Sequence, residues 1–375
     1  MKGFYYDTIL TRENICNLGR EEELLLTGIR QKKKLVVYGP RNYGKSSLMQ
    51  SAIVPGFKKK HKTSFVFQVD LLEIKTIEAL NQRIRRAFEH SFSESFPGKQ
   101  LFELAKRFLM GLKPSLEIDP ITNLPSLSVN TSNTRTHLQW QDIFTTIRTE
   151  IAPHYPTLLI FDEFQDIAFI PGIQGEMRQV LEAFRDVPII ILGSKQHILS
   201  RIFAQPNAPL AGFGEDLEFK PIPYEEYTEY MNERFAERDL KIGADDSQKL
   251  QDLLLRVPEP INITCADLMS RLSDKTIAWQ DVAEAIVRVI EGRHTRFERM
   301  LSLFSQKEEE VLTAIGKFGP IKYVTGKDFL KRVNCSARAA KTITEKLLDR
   351  SFLDKTADGY RVADPLLALF MQRYR

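Results

Sequence analysis

Residues 39 to 46 read Gly-Pro-Arg-Asn-Tyr-Gly-Lys-Ser, a match to G-x-x-x-x-G-K-[ST] at every fixed position. Gly39 and Gly44 permit a turn tight enough to aim successive backbone N–H groups into one concave space, where they can hold phosphate together with the positive end of the next helix. Lys45 is a point charge for the β- and γ-phosphates, and the Ser46 hydroxyl is a hard oxygen ligand for Mg²⁺. Pro40, Arg41, Asn42, Tyr43 and Ser47 complete the expected cofactor-binding set. Tyr43 either stacks on base or ribose or faces solvent. Leu35-Val36-Val37-Tyr38 precedes the loop as an apolar, β-prone run, and Ser46 to Ile53 follows with a helical pattern. Strand, loop and helix in that order are the context the motif requires.

A second constellation lies at Thr157-Leu-Leu-Ile-Phe-Asp162-Glu163-Phe-Gln165-Asp166. It is an apolar strand ending in two adjacent carboxylates, and the carboxyl edge of a parallel sheet would set these beside the phosphate loop. Asp162 is then the second metal ligand, with Ser46. Glu163 is placed to orient and deprotonate an attacking water. Ser194 follows the apolar run Ile189–Leu192, and its hydroxyl either reads the γ-phosphate or the catalytic water, or caps a helix.

These residues need a scaffold of alternating strands and helices. Leu35–Tyr38, Ser64–Val69, Thr157–Phe161, Ile189–Leu192 and a weaker Leu217–Phe219 read as strands separated by helical segments. That predicts an α/β fold with a parallel sheet of the P-loop NTPase kind. An insertion at about 77–136 carries helical pattern from Ile77 to Phe92 and from Gln100 to Leu112, then a β-hairpin centred on Asp119-Pro-Ile-Thr-Asn123. Asn130 to Thr136 is polar and expected to be mobile. The core is expected over 1–222, a helical lid over 223–304 and a winged helix over 305–375. The last comprises helices at Gln306–Phe318, Gly326–Val333 and Ser336–Arg350, a hairpin turning at Asp358-Gly359, and a closing helix over Asp364–Arg375.

Composition is ordinary for a soluble globular chain of 375 residues, at 43% hydrophobic and 27% charged. The net charge of +4 does not by itself argue for nucleic acid. Cys16, Cys265 and Cys335 lack metal-ligand spacing and read as reduced thiols. No apolar run is long enough for a signal peptide or a membrane span, so a cytoplasmic protein without membrane partners is expected. The final unit accounts for the net positive charge, with 14 Lys and Arg against 9 Asp and Glu from Leu301 onward. In its third helix Ala340, Ile343 and Leu347 recur at core spacing, which turns Arg338, Lys341, Thr342 and Lys346 outward. That face would suit duplex DNA, with Lys355 and Arg361 on the wing touching phosphates. The alternative is a solvated or core-docking face. Lys32-Lys33-Lys34 and Lys58-Lys59-Lys60 read as solvated loop charges.

Gly39-Pro-Arg-Asn-Tyr-Gly-Lys-Ser-Ser and Leu158-Leu-Ile-Phe-Asp-Glu-Phe-Gln resemble the archaeal-type ATPases, which lie between the AAA+ and STAND ATPases. The likeness extends to Gly19-Arg20-Glu-Glu-Glu-Leu24, the hairpin Leu116–Thr122, Leu192-Gly-Ser-Lys-Gln-His197 and Tyr360-Arg-Val-Ala-Asp-Pro-Leu366, and so spans nearly the whole chain. It implies ATP as ligand, Gly19 and Arg20 near the adenine, and a sensor position at the end of the Ser194 strand. No guanine-reading Asn-Lys-x-Asp motif opposes it. Two departures stand out. Pro209–Glu215 lacks the arginine that family members often carry there, and Pro258-Glu259-Pro260 replaces Gly-His-Pro. A missing cation at the γ-phosphate removes transition-state stabilisation, so slow turnover or a protein partner or homo-oligomer that completes the site is implied. Arg201 and Arg256 are the candidate substitutes, with ordinary surface roles as the alternative. The reading is a Mg²⁺-dependent ATPase working as a switch or motor that repositions a winged helix. The alternative is a regulatory DNA- or protein-binding module with a nucleotide-sensing site and little turnover.

Overall fold

Short runs of Val, Ile, Leu and Phe, bounded by turns and separated by amphipathic helices, can bury both faces only in a sheet covered on each side. The computed structural model describes residues 2–40, 42–96, 115–118, 125–131, 134–136 and 139–375. They divide into two compact units, 18–219 and 1–17 with 220–375.

The first unit opens with α1 (Gly19–Arg30) and β1 (Lys34–Tyr38). Beyond the phosphate loop, α2 (Lys45–Leu48) passes through a wide turn at Met49–Ile53 into α3 (Val54–Lys60). Lys58, Lys59 and Lys60 thus form the last helical turn, where the helix dipole favours cations, rather than the loop the sequence suggested. β2 (Phe65–Asp70) and α4 (Ile77–Ser95) follow, the helix capped by the Thr76 hydroxyl and burying Leu80, Ile84, Phe88 and Phe92 along one stripe. In the insertion, β3 (Ser115–Ile118) and β4 (Pro125–Thr131) pair antiparallel, as the hairpin reading required. The polar stretch expected to be mobile contributes β5 (Thr134–Thr136), paired with β4. The hairpin tip and the helix expected over 100–112 lie outside the described residues.

The chain then forms α5 (Trp140–Thr146), β6 (Thr157–Asp162), α6 (Ile173–Glu182), β7 (Ile189–Gly193), α7 (Gln196–Phe203) and β8 (Glu215–Glu218). The sheet runs β2-β6-β7-β1-β8, all parallel. β6 is buried up to Asp162 and β7 along its whole length, which explains their unbroken apolar composition. β8 begins two residues before the predicted Leu217, since pairing with β1 and not side-chain pattern defines this edge strand. Phe67, Phe144, Phe161 and Phe164 pack edge-on or tilted against one another, with ring centroids 5.3–5.9 Å apart.

The second unit contains α8 (Tyr224–Phe235), β9 (Leu240–Ile242), α9 (Ala244–Leu253), α10 (Pro258–Arg271), β10 (Lys275–Ile277), α11 (Trp279–Gly292) and α12 (His294–Leu301). The parallel pair β9–β10 interrupts a stretch predicted to be wholly helical. Residues 1–17 join this unit and not the core over 1–222 that the sequence suggested. Phe4 packs on Phe235 at 4.9 Å, and the buried Arg234 stacks on Tyr230 at 3.5 Å while donating to the Gly3 and Glu13 carbonyls. The unit ends in α13 (Gln306–Phe318), α14 (Lys327–Val333), α15 (Ala337–Asp349), the hairpin β11 (Leu353–Thr356) and β12 (Gly359–Val362), and α16 (Pro365–Tyr374). Each helix falls within a residue of its predicted span, and the hairpin turns at the predicted Asp358-Gly359. Among the described residues, no helix is long and apolar enough to cross a membrane.

Candidate active site

The phosphate loop leaves the carboxyl end of β1. A side chain at Gly39 would meet the Phe219 Cβ at 2.8 Å, so only glycine allows this strand end to lie against the residue after β8. Asn42 (φ 62°) and Gly44 (φ 79°) adopt the left-handed conformation, which curls the backbone into a nest of N–H groups. Lys45, only 6% exposed, folds over the loop and donates to the carbonyls of Gly39 and Pro40, both at 2.7 Å. A buried ammonium must be satisfied, and here the loop's own carbonyls do it. Tyr43 is buried, so a solvent-facing role falls away. Arg41 lies outside the described residues. A side chain at Gly44 would meet Leu18 Cδ1, directly before α1, at 3.3 Å, while Gly19 and Arg20 are exposed at the start of that helix.

β7 lies between β1 and β6, so the three carboxyl ends converge from adjacent strands. Ser46, at the start of α2, donates its hydroxyl to Asp162 Oδ2 at 2.7 Å. Asp162 Oδ1 accepts the Glu163 N–H at 2.9 Å. Burial holds Asp162 above its ordinary carboxylate range, against the opposing effect of the Ser46 hydrogen bond. Glu163 takes a left-handed turn (φ 49°), and its Oε2 accepts from Ser194 Oγ at 2.9 Å and from the Gln165 amide. Of the two readings of Ser194, the helix cap falls: the residue flanking α7 is Lys195, and the hydroxyl serves Glu163.

Two residues, Gln165 and Asp166, were given no role by the sequence reading. Gln165 is fully buried, and its Oε1 has no hydrogen-bond partner among the described residues. It fits only because residue 193 is glycine: a Cβ there would overlap Gln165 Oε1 and approach Leu199 at 2.6 Å. Asp166, 1% exposed, accepts from Lys195 at 3.0 Å and from the Glu73 N–H at 2.8 Å. The only sequence signal was the short spacing Glu163-x-Gln165-Asp166, which a tight helical turn over Phe164–Phe169 folds back on itself.

Ser46 and Asp162 are two hard oxygen donors in contact. Among the described residues no group of three or more His, Cys, Asp or Glu stands ready to hold a metal unaided. One carboxylate and one hydroxyl suit Mg²⁺, which keeps water or substrate phosphate as its remaining ligands.

The remaining candidates are each held by their own surroundings. Arg201 is exposed on α7, while Arg256 is no ordinary surface arginine: it stacks on Tyr224 at 4.2 Å and donates to the Ile222 carbonyl. Burial, with Asp7 beside it, pushes Glu259 up to about 7. On α15, Arg338, Lys341 and Thr342 are exposed opposite the buried Ala340 and Leu347 and the half-buried Ile343. Lys346 also points outward but pairs with Glu308 of α13 at 2.5 Å. On the hairpin, Lys355 lies over Tyr360 at 5.6 Å and Arg361 faces Asp354 at 3.9 Å.

The family described as "Probable winged helix domain" matches residues 295–373. The fold as a whole is similar to the Walker-type ATPase PABY2304 of Pyrococcus abyssi, with a TM-score of 0.65 at 18% identity over 98% of this chain and 99% of that one. It is also similar to the ORC2 protein of Aeropyrum pernix in its ADPNP–ADP complexes, with a TM-score of 0.52 at 13% identity over 94% of this chain and 90% of that one. No curated protein matches the sequence. The chain therefore has the α/β fold of the P-loop ATPases, followed by a C-terminal winged-helix domain. The resemblance read from Gly39–Ser47 and Leu158–Gln165 holds at the level of fold.

Proposed function

We propose that this chain is a Mg²⁺-dependent ATPase that works as a nucleotide-gated switch. The observation that carries the reading is the Ser46–Asp162 contact at 2.7 Å, with Glu163 the next residue and held by Ser194. The loop N–H groups and the start of α2 bind the phosphates. Lys45 exchanges the Gly39 and Pro40 carbonyls for phosphate oxygens, trading neutral acceptors for charged ones. Ser46 and Asp162 hold Mg²⁺, which when bound neutralises charge on the β- and γ-phosphates. Glu163 takes the proton of the attacking water, and Ser194 and Gln165 fix the direction of its carboxylate.

A slower, regulatory variant of this reading is favoured by one feature. Glu163 Oε2 already accepts two hydrogen bonds, which water must displace or share. On the C-terminal domain, Arg338 and Lys341 are proposed to contact duplex DNA. The helices over 223–304 are proposed to act as the lid. Binding of an ATP analogue, measured by calorimetry with Mg²⁺ and with chelator, tests the site. Asp162→Asn should abolish the Mg²⁺ dependence, and a variant with unchanged dependence would refute the assignment.

A further inference from the structure

The amino-terminal ends of β1, β6 and β7 frame a second feature, a cavity of about 1090 Å³ on the edge of the sheet opposite the phosphate loop. A five-residue strand such as β1 puts the two edges roughly 16 Å apart. Arg30, Lys32, Lys60, Arg148 and Arg185 line it, and Asp186 is the sole carboxylate among its lining residues. Asp186 lies 3.6 Å from Lys32, with both side chains exposed. The other cations stand apart from acids: among the described residues, no carboxylate pairs with Lys60, Arg148 or Arg185, all exposed. Two of these positions belong to the lysine runs at 32–34 and 58–60, which are distant in sequence and brought together only by the fold.

Rings accompany the charges. His61 packs against Phe57 at 4.9 Å and Tyr155 against Phe96 at 4.8 Å, and both His61 and Tyr155 retain exposed surface in the cavity wall. Like charges gathered around a single carboxylate repel one another and gain free energy from a polyanion. Cations that track a backbone beside ring faces on which bases stack are the chemistry of single-stranded nucleic acid binding. The volume is near the upper end of ligand pockets, roughly 300–1,000 Å³, and so admits a short stretch of one strand and not the cross-section of a duplex.

We infer that this basic groove binds single-stranded nucleic acid through Lys60, Arg148 and Arg185, with Tyr155 as a stacking platform. The site is separate from the nucleotide site and does not depend on that assignment. The test is fluorescence anisotropy of labelled oligo-dT of about 20 nucleotides, at salt from about 50 to 200 mM. The full-length chain is compared with the triple variant Lys60→Ala/Arg148→Ala/Arg185→Ala. Each phosphate contact on a single strand contributes about 0.7 to the log–log salt slope, so the triple variant should lose about 2 from the slope and roughly tenfold or more in affinity. The single variant Arg148→Glu, at an exposed position, should weaken binding in the same sense. ATP-analogue affinity of both variants should match wild type, which shows that the unit remains folded. Absence of wild-type binding at the lowest salt, or unchanged binding by both variants, would overturn the inference. So would loss of binding by Arg338→Ala/Lys341→Ala alone, which would assign the strand to the winged helix. Equal competition by poly-glutamate would assign the groove to an acidic polypeptide instead.

Discussion

Lys346→Ala separates two roles that helical periodicity cannot distinguish. Lys346 Nζ reaches Glu308 at 2.5 Å, and the same carboxylate accepts the Ser305 N–H at 2.8 Å and the Ser305 hydroxyl at 2.9 Å. The Glu308 side chain is 8% exposed, so its charge depends on these partners. The Lys346 hydrogen bond, then the Ser305 N–H, bring Glu308 down from 4.5 to about 2. At about 1.4 kcal/mol per pH unit, the whole shift would correspond to roughly 3 kcal/mol. Lys346 is 57% exposed and supplies only part of the shift, so screening reduces its share to about 1–2 kcal/mol. The folded value lies below the unfolded one. The stabilisation is therefore complete above the ordinary glutamate range and is lost as pH falls towards 2. Thermal unfolding at neutral pH should show Lys346→Ala melting about 2–8 °C lower than wild type, with the gap closing below about pH 4.5. Duplex DNA affinity should not change. An unaltered melting temperature together with weakened DNA binding would show that Lys346 is a DNA contact, as its outward position first suggested.

Lys45→Ala should abolish tight binding of a fluorescent ATP analogue, since it removes the ammonium that folds over the loop and is placed to exchange the Gly39 and Pro40 carbonyls for phosphate oxygens; unchanged affinity in a folded variant would remove the site assignment. Gly193→Ala inserts a methyl group into Gln165 Oε1 and Leu199, and overpacking of this kind costs about 1–3 kcal/mol. A lowered melting temperature with lost turnover is expected, and a neutral outcome would mean that Gln165 does not position Glu163. Ser194→Ala should leave Mg²⁺–ATP binding intact while changing the turnover rate in a steady-state phosphate-release assay. An unchanged rate would exclude the hydroxyl from the catalytic arrangement.

What the sequence made legible was whatever local pattern determines. Thr157–Phe161 and Ile189–Leu192 are apolar because both sheet faces are covered, and the phosphate loop declares itself by glycine spacing. Ser46, Asp162, Glu163 and Ser194 do come together, because parallel strands deliver their carboxyl ends to one edge. Pairings set by tertiary packing were not legible. Gln165 is buried only because Gly193 has no side chain, and Lys346 is tied to a carboxylate on another helix. Phe4 and Arg234 draw the first residues into the second unit, although nothing near them in sequence signals it. The lysine runs looked like solvated charge because the fold alone shows Lys32 and Lys60 lining one cavity. β8 was misplaced by two residues because an exposed edge strand carries no apolar pattern.

The central claim is that Glu163 acts as the general base of a Mg²⁺–ATP site. Phosphate release under saturating Mg²⁺–ATP, from wild type and Glu163→Gln, tests it most directly, with equilibrium binding of the same nucleotide measured in parallel. The amide keeps the shape and loses the base, so binding should persist while the rate falls on the order of 10²–10⁴-fold. Equal rates in the two proteins, or no wild-type turnover above the variant's at any protein concentration, would contradict it and leave a site that binds nucleotide without hydrolysing it.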